Sequence, residues 1–181
     1  MAVLLMLVLG AVSRAAGGAV GVAQADAGLE PFQAALQKYV ALRKTISAEI
    51  PPLEVTDKAA EIVRTSDAAA RAIERARSNA PQGEFFTPAV AKILRDRLRK
   101  VAAAVDVQDV IKPEGDERAT LRVRVNARFP QASPLPTMPP SVLEALPVLP
   151  KGLEYRLVGT TLIMRDIEGA IVLDYLPDAF K

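Results

Sequence analysis

Cysteine, histidine and tryptophan are all missing from this 181-residue chain. Without cysteine there is no disulfide framework, no thiol nucleophile, no thiolate metal site and no lipid attached to a mature N-terminal cysteine. Without histidine there is no Ser-His-Asp or Cys-His arrangement, no imidazole base and no zinc site of the usual kinds. What remains for catalysis is carboxylate, lysine, tyrosine or Ser/Lys chemistry. No phosphate-cradling glycine loop is evident, because the Gly17, Gly18 and Gly21 cluster falls in the apolar N-terminal stretch. Neither a cofactor nor a resident metal is expected, and no internal repeat is present.

A strong charge imbalance is also lacking, since 23 Lys and Arg stand against 21 Asp and Glu. Bulk electrostatics therefore give no reason to expect nucleic acid. Charge is absent altogether from residues 2–12 (AVLLMLVLGAV), an apolar run of the length expected for a signal-peptide core. Small residues follow and end in Ala23-Gln24-Ala25, a small-x-small cleavage pattern before Asp26. Arg14 interrupts the run well short of the roughly 20 apolar residues a spanning helix needs. Ahead of the run only the α-amino group supplies positive charge, a weak feature for such a signal. The reading is a cleaved signal over 1–25 and a single α+β domain over 26–181, exported to the periplasm or exterior, with no stable membrane span after signal removal.

Along the domain, helical periodicity comes first, over 29–110. Phe32, Ala35, Leu36, Tyr39, Leu42, Ile46 and Ile50 share one face of a helix over 29–50, which Pro51-Pro52 end. A second helix is predicted over 57–79, with Thr56 as N-cap and a stripe of Ala59, Ile62, Val63, Ala69, Ala70, Ile73 and Ala76. The third has Thr87 as N-cap and Pro88 at the first helical position, then Val90, Leu94, Leu98, Val101 and Val105. Phe85 or Phe86 is placed to staple its entry.

The period then switches to two. Leu121, Val123, Val125, Ala127 and Phe129 alternate with polar residues, predicting a strand over 119–129. Whether it joins the C-terminal sheet is open. Seven of the 14 prolines fall in 130–150, a connector whose leucines suggest packing on the domain, with a helical turn at 141–146. A β-meander over 153–176 closes the chain, with turns at Gly159-Thr160 and Glu168-Gly169. Face segregation sets its register: Tyr155 with Met164 and Leu157 with Leu162, then Met164 with Leu173 and Leu162 with Tyr175. On the second face this puts Glu154 opposite Arg165, and Arg156 and Asp174 beside Ile163. The fold class is α+β, a three-helix N-terminal half followed by a small antiparallel β-meander.

Four constellations invite chemistry. Arg122, Arg124 and Arg128 share one face of the predicted strand, spaced by about 7 Å for every two residues; such a row could bind an envelope phosphate polymer, but an ordinary solvated face that discourages edge aggregation is the favoured reading. No aromatic side chains accompany them for base stacking, which argues against single-stranded nucleic acid. Lys92, Arg95 and Arg99, with Arg97 and Lys100, make a basic helix face of the kind that usually meets water. Asp106, Asp109, Glu114, Asp116 and Glu117 are acidic but miss the alternating calcium-loop pattern. The mixed charges of the meander read as cross-strand pairs that support the sheet.

Several blocks resemble a group of small exported bacterial proteins of unknown function: Tyr39–Arg43, Pro51–Asp57, Gln82–Pro88, Leu149-Pro150 with Leu153–Arg156, and Arg165–Glu168 running on to Asp174-Tyr175. The resemblance implies an exported domain with helices first and strands last, and no catalytic residues. The functional expectation is an accessory or binding protein without catalytic activity, its partner an envelope protein or an anionic polymer. The alternatives are a small carboxylate- or Ser/Lys-dependent hydrolase and a polymer binder using the arginine row.

Overall fold

The computed structural model describes residues 27–50, 58–104, 123–129 and 138–181. Three long helices come first: α1 (Glu30–Glu49), α2 (Ala59–Ala76) and α3 (Pro88–Ala104). A short α4 (Pro140–Glu144) leads into a sheet of β1 (Leu153–Val158), β2 (Thr161–Asp166) and β3 (Ile171–Leu176), in that order and antiparallel. The expected α+β arrangement is thus observed.

Each helix owes its position to the face its sequence makes apolar. On α1, Phe32, Leu36, Tyr39 and Ile46 are buried, with Ala35, Leu42 and Ile50 packed against them. Ile50 is extended, as a residue before proline tends to be. On α3, Val90, Ala91, Leu94 and Leu98 are buried. Thr87 caps it, accepting from the Val90 N–H at 3.4 Å. Both Phe85 and Phe86 enter the core: Phe86 stacks on Phe32 and Phe85 meets Tyr39 edge-on, each pair 6.0 Å apart. The residues beyond Ala104 on which the predicted third helix continues lie outside those described.

The second helix departs from expectation at both ends. Lys58 holds the N-cap position without capping the helix through its side chain, which pairs with Glu61 at 3.2 Å, and Thr56 and Asp57 lie outside the described residues. At the other end Arg77 leaves helical geometry, since its guanidinium turns inward to the Leu173 carbonyl. Ala69, Ala70 and Ile73 are buried as predicted, whereas Ile62 and Val63 are exposed. The stripe is continuous, but only its C-terminal half meets the sheet.

β1 and β2 pair in the predicted register, Tyr155 with Met164 and Leu157 with Leu162. Gly159 takes a positive φ in the connecting turn. β2 and β3 begin in the predicted register too, Arg165 with Val172 and Asp166 with Ile171. A bulge then intervenes, so Met164 faces Asp174, Ile163 faces Tyr175 and Leu162 faces Leu176. The predicted pairs of Met164 with Leu173 and Leu162 with Tyr175 are therefore displaced. An extra residue on one strand lets two successive side chains share a side. Leu173 and Leu176 join the main core with the helices, and Tyr175 packs with Ile163 on the other face. Asp174, expected on the outer face, is turned toward the helices and fully buried.

The predicted strand over 119–129 is corrected in its described part. Asn126 has φ 62°, and the Ala127 N–H turns back to the Arg124 carbonyl at 3.1 Å. Asparagine tolerates the left-handed region, and here its amide donates to the Arg77 carbonyl at 2.7 Å. The segment nevertheless docks on the free edge of β3. The Asn126 and Phe129 N–H groups donate to the Val172 and Ala170 carbonyls, and the Val172 N–H donates to the Ala127 carbonyl. Phe129 then covers Ile163 and Val172, so the sheet has apolar cover on both faces.

Candidate functional site

The arginine row does not persist as a row. Arg124 is exposed, but the turn at Asn126 separates it from Arg128. Arg128 is ion-paired with Asp67 of α2 and donates to the Gly169 carbonyl at 2.8 Å. It ties a helix to the β2–β3 turn. Arg122 lies outside the described residues, as does the whole acidic set from Asp106 to Glu117. Among the described residues, no cluster of three or more side chains could hold a metal ion. The basic face of α3 is partly spent on backbone: Arg95 donates to the Pro177 and Asp178 carbonyls and Arg99 to that of Lys181.

Two aspartates, buried completely on the helix side of the sheet, organise the interior. Asp166, at the end of β2, accepts from the Tyr39 hydroxyl and the Gly169 N–H, both at 2.9 Å, and from Arg43 Nε at 2.7 Å. Arg43 also bonds Glu168 at 2.6 Å. Asp174, turned inward by the bulge, accepts from the N–H groups of Gly83, Phe85, Phe86 and Tyr175, all at 2.9 Å. Burying a carboxylate is tolerable only with such a donor set. Burial chiefly, and then the Asp166 charge and hydrogen bond, push the Tyr39 phenol well above its usual pKa, against the opposing pull of Arg77 and Arg43.

Arg77 belongs to the same frame. It bonds Glu84 and the Leu173 carbonyl, and lies 5.5 Å from the ring centroids of Tyr39 and Phe85. A cleft of about 550 Å³ opens beside it, lined by Lys38, Tyr39, Leu42, Glu84 and the 76–81 turn. Of its charged residues, Arg77 and Glu84 are bonded to each other and Arg77 to the Leu173 carbonyl.

The second cleft is different. It measures about 420 Å³ and lies between the 138–149 segment and β1. Met138, Leu143, Leu146, Val148, Leu149, Leu153 and Tyr155 give it an apolar lining, with Pro147, Glu154 and Arg156 beside them. Val148 is 93% exposed and Leu143 45%. The Tyr155 hydroxyl donates to the Pro147 carbonyl, and burial raises its phenol pKa. At the charged end, Glu154 accepts from Arg156 Nη2 at 2.8 Å and pairs with the buried Arg165. One carboxylate thus serves two guanidinium groups. Among the described residues, Arg156 Nε and Arg165 Nη1 are buried without a hydrogen-bond partner. Cross-strand pairing of Glu154 and Arg165 is legible from the alternation of β1 and β2. The cleft is not, because nothing in the proline-rich connector fixes where it lies.

No helix among the described residues is long and apolar enough to cross a membrane. Comparison with protein-family models, with curated proteins and with solved structures finds no match.

Proposed function

We propose that this chain is an exported accessory or binding protein without catalytic activity, and that the cleft beside β1 is its contact surface. The observation that carries this reading is the pairing of an apolar lining with a 93% exposed Val148 at the cleft mouth. Isolated exposed apolar residues are ordinary, but a lined concavity with a few polar groups at one end is the usual form of a binding site. A hydrolase using paired carboxylates would instead need acids converging on a cavity. The single acid lining this cleft among the described residues, Glu154, is already engaged by two arginines. Periplasmic or extracellular placement rests on the apolar run at 2–12 and the Ala23-Gln24-Ala25 pattern.

In-cell photo-crosslinking tests the proposal, with the crosslinking residue at Val148 in one strain and at exposed Lys44 of α1 in another. Capture of a defined envelope component from position 148 alone is the expected result. Equal background from both positions removes the cleft from consideration. Recovery of the chain from the cytoplasm with its first 25 residues intact removes the export reading.

A further inference from the structure

Resting on the reading of the β1 cleft as a contact surface, we infer that its occupant is a second copy of this chain, added strand to strand along the free edge of β1. The cleft touches Leu153, Glu154, Tyr155 and Arg156 in succession. Successive side chains of a strand point to opposite faces, so a concavity that meets all four lies along an edge of β1. The other edge of β1 is taken by β2. Across the sheet, the edge of β3 is covered by the 123–129 segment. Among the described residues, no strand or bridge pairs with β1 from its outer side.

The backbone shows what this edge offers. The Ile167 N–H donates to the Gly152 carbonyl at 2.9 Å, which makes Gly152 and Ile167 a hydrogen-bonded pair continuing the β1–β2 register. Such pairs alternate along antiparallel strands, so Glu154, Arg156 and Val158 bond toward β2. Leu153, Tyr155 and Leu157 turn their N–H and C=O groups to the outer edge. Accordingly, the Leu153 N–H donates to the Pro150 carbonyl at 3.2 Å and not to β2. For the outward groups of Tyr155 and Leu157 there is no backbone partner among the described residues. A row of this kind is a template for an added strand.

The sequence of the edge selects the occupant. Leu153-Glu154-Tyr155-Arg156-Leu157 mirrors its apolar and charged positions about Tyr155, and the two charges are of opposite sign. Two copies related by a twofold axis through Tyr155 place Leu153 opposite Leu157 and Glu154 opposite Arg156, each twice over. Tyr155 belongs to the outward-bonding set, so it exchanges both bonds with its counterpart. Each Leu157 N–H then meets the Leu153 carbonyl of the other copy. The Glu154 and Arg156 pairs fall at the alternate positions, where facing side chains come closest. Moving the axis to Glu154 or to Arg156 sets like charges face to face. An unrelated extended peptide would use the backbone but has no need of mirrored charges. Nor does the edge carry a proline, a lysine or a bulge, the usual protections against pairing.

The test is sedimentation equilibrium of the purified full chain, with amide exchange followed by NMR over the same concentrations. A reversible dimer in the micromolar range is expected, and the Tyr155 and Leu157 amides should exchange about tenfold or more slowly in it than in the dilute monomer. Arg156→Glu, at a half-buried position, turns both opposite-charge pairs into like-charge pairs and should weaken association about tenfold or more. The chain has no cysteine of its own, so Arg156→Cys gives a second readout. Across the axis these positions are diagonal neighbours about 7–8 Å apart, and a short bismaleimide should join them, whereas Lys44→Cys on α1 should stay unjoined. A chain that remains monomeric, or exchange at Tyr155 and Leu157 that ignores concentration, overturns the inference. So does a dimer that joins no better through position 156 than through position 44, or one that a folded Arg156→Glu variant leaves intact. A monomer whose position 148 still crosslinks to another component removes the second copy and leaves the contact surface standing. A dimer of the expected kind, with position 148 capturing only the chain itself, upholds the inference and removes a separate envelope partner.

Discussion

A single carboxylate does more to fix this fold than any exposed ion pair. Asp174 gathers four backbone N–H groups, three of them from the 83–86 segment that leads into α3. Asp174→Asn keeps the shape but replaces one accepting oxygen with an amide that faces donors. We expect a loss of roughly 3 kcal/mol, since each such bond to a charge is worth about 1.5–3 kcal/mol and an orphaned buried donor adds to the cost. Urea unfolding measures it, and a change below about 0.5 kcal/mol would mean that the segment holds its place without the carboxylate. The tyrosines give a pH prediction. Tyr39 and Tyr155 both have phenol groups raised by burial above their ordinary value. The unfolded chain therefore releases these protons before the folded one does. Their contribution to stability is complete below about pH 10, the ordinary phenol value, and declines as pH climbs above it. In an alkaline titration followed by phenolate absorbance, these two tyrosines should ionise only together with loss of the circular dichroism signal. Ionisation of all three tyrosines in a folded chain would contradict the burial.

At the scale of elements, the sequence was legible wherever one period ran without interruption. The faces of α1 and α3, the Thr87 cap and the β1–β2 register follow from spacing alone. It failed where a tertiary contact overrode the local pattern. Nothing in β3 announces a bulge, since a residue added to one strand leaves the alternation of apolar side chains readable in two registers. The inward position of Asp174 depends on that bulge, and its partners come from the 83–86 segment, far away in the chain. The turn at Asn126 is likewise dictated by Arg77, forty-nine residues away. Helix α2 shows the limit of stripe arguments in another way. Its sequence is amphipathic throughout, yet Ile62 and Val63 are exposed while Ala69, Ala70 and Ile73 are buried. Helical stability comes mainly from packing of the apolar face. Amides in the first two turns of α2 should therefore exchange with solvent by local opening, at least tenfold faster than those of 69–73. Uniform protection along the helix, read by hydrogen-exchange mass spectrometry or NMR, would show that the exposed stripe is covered in solution.

For the whole molecule, the question is what joins the helical half to the sheet and what is left over for binding. The main core runs between them, but discrete polar ties cross the same boundary: Arg43 to Asp166, Arg77 to the Leu173 carbonyl, and Arg128 between Asp67 and the Gly169 carbonyl. The candidate arginine row therefore divides by role. Arg128 is half exposed, so its ion pair alone is worth well under 1 kcal/mol, and its bond to the Gly169 carbonyl adds a similar amount. Arg128→Ser should cost about 1 kcal/mol in a urea melt, and Arg124→Ser should fall within about 0.5 kcal/mol of zero. With the chain near charge balance, neither change should alter retention on a phosphate-bearing matrix at moderate salt. A large fall in retention with Arg124→Ser at unchanged stability would restore the arginine row as an anion-binding surface. It would also move the contact surface from the β1 cleft to the opposite edge of the sheet, where the 123–129 segment lies against β3.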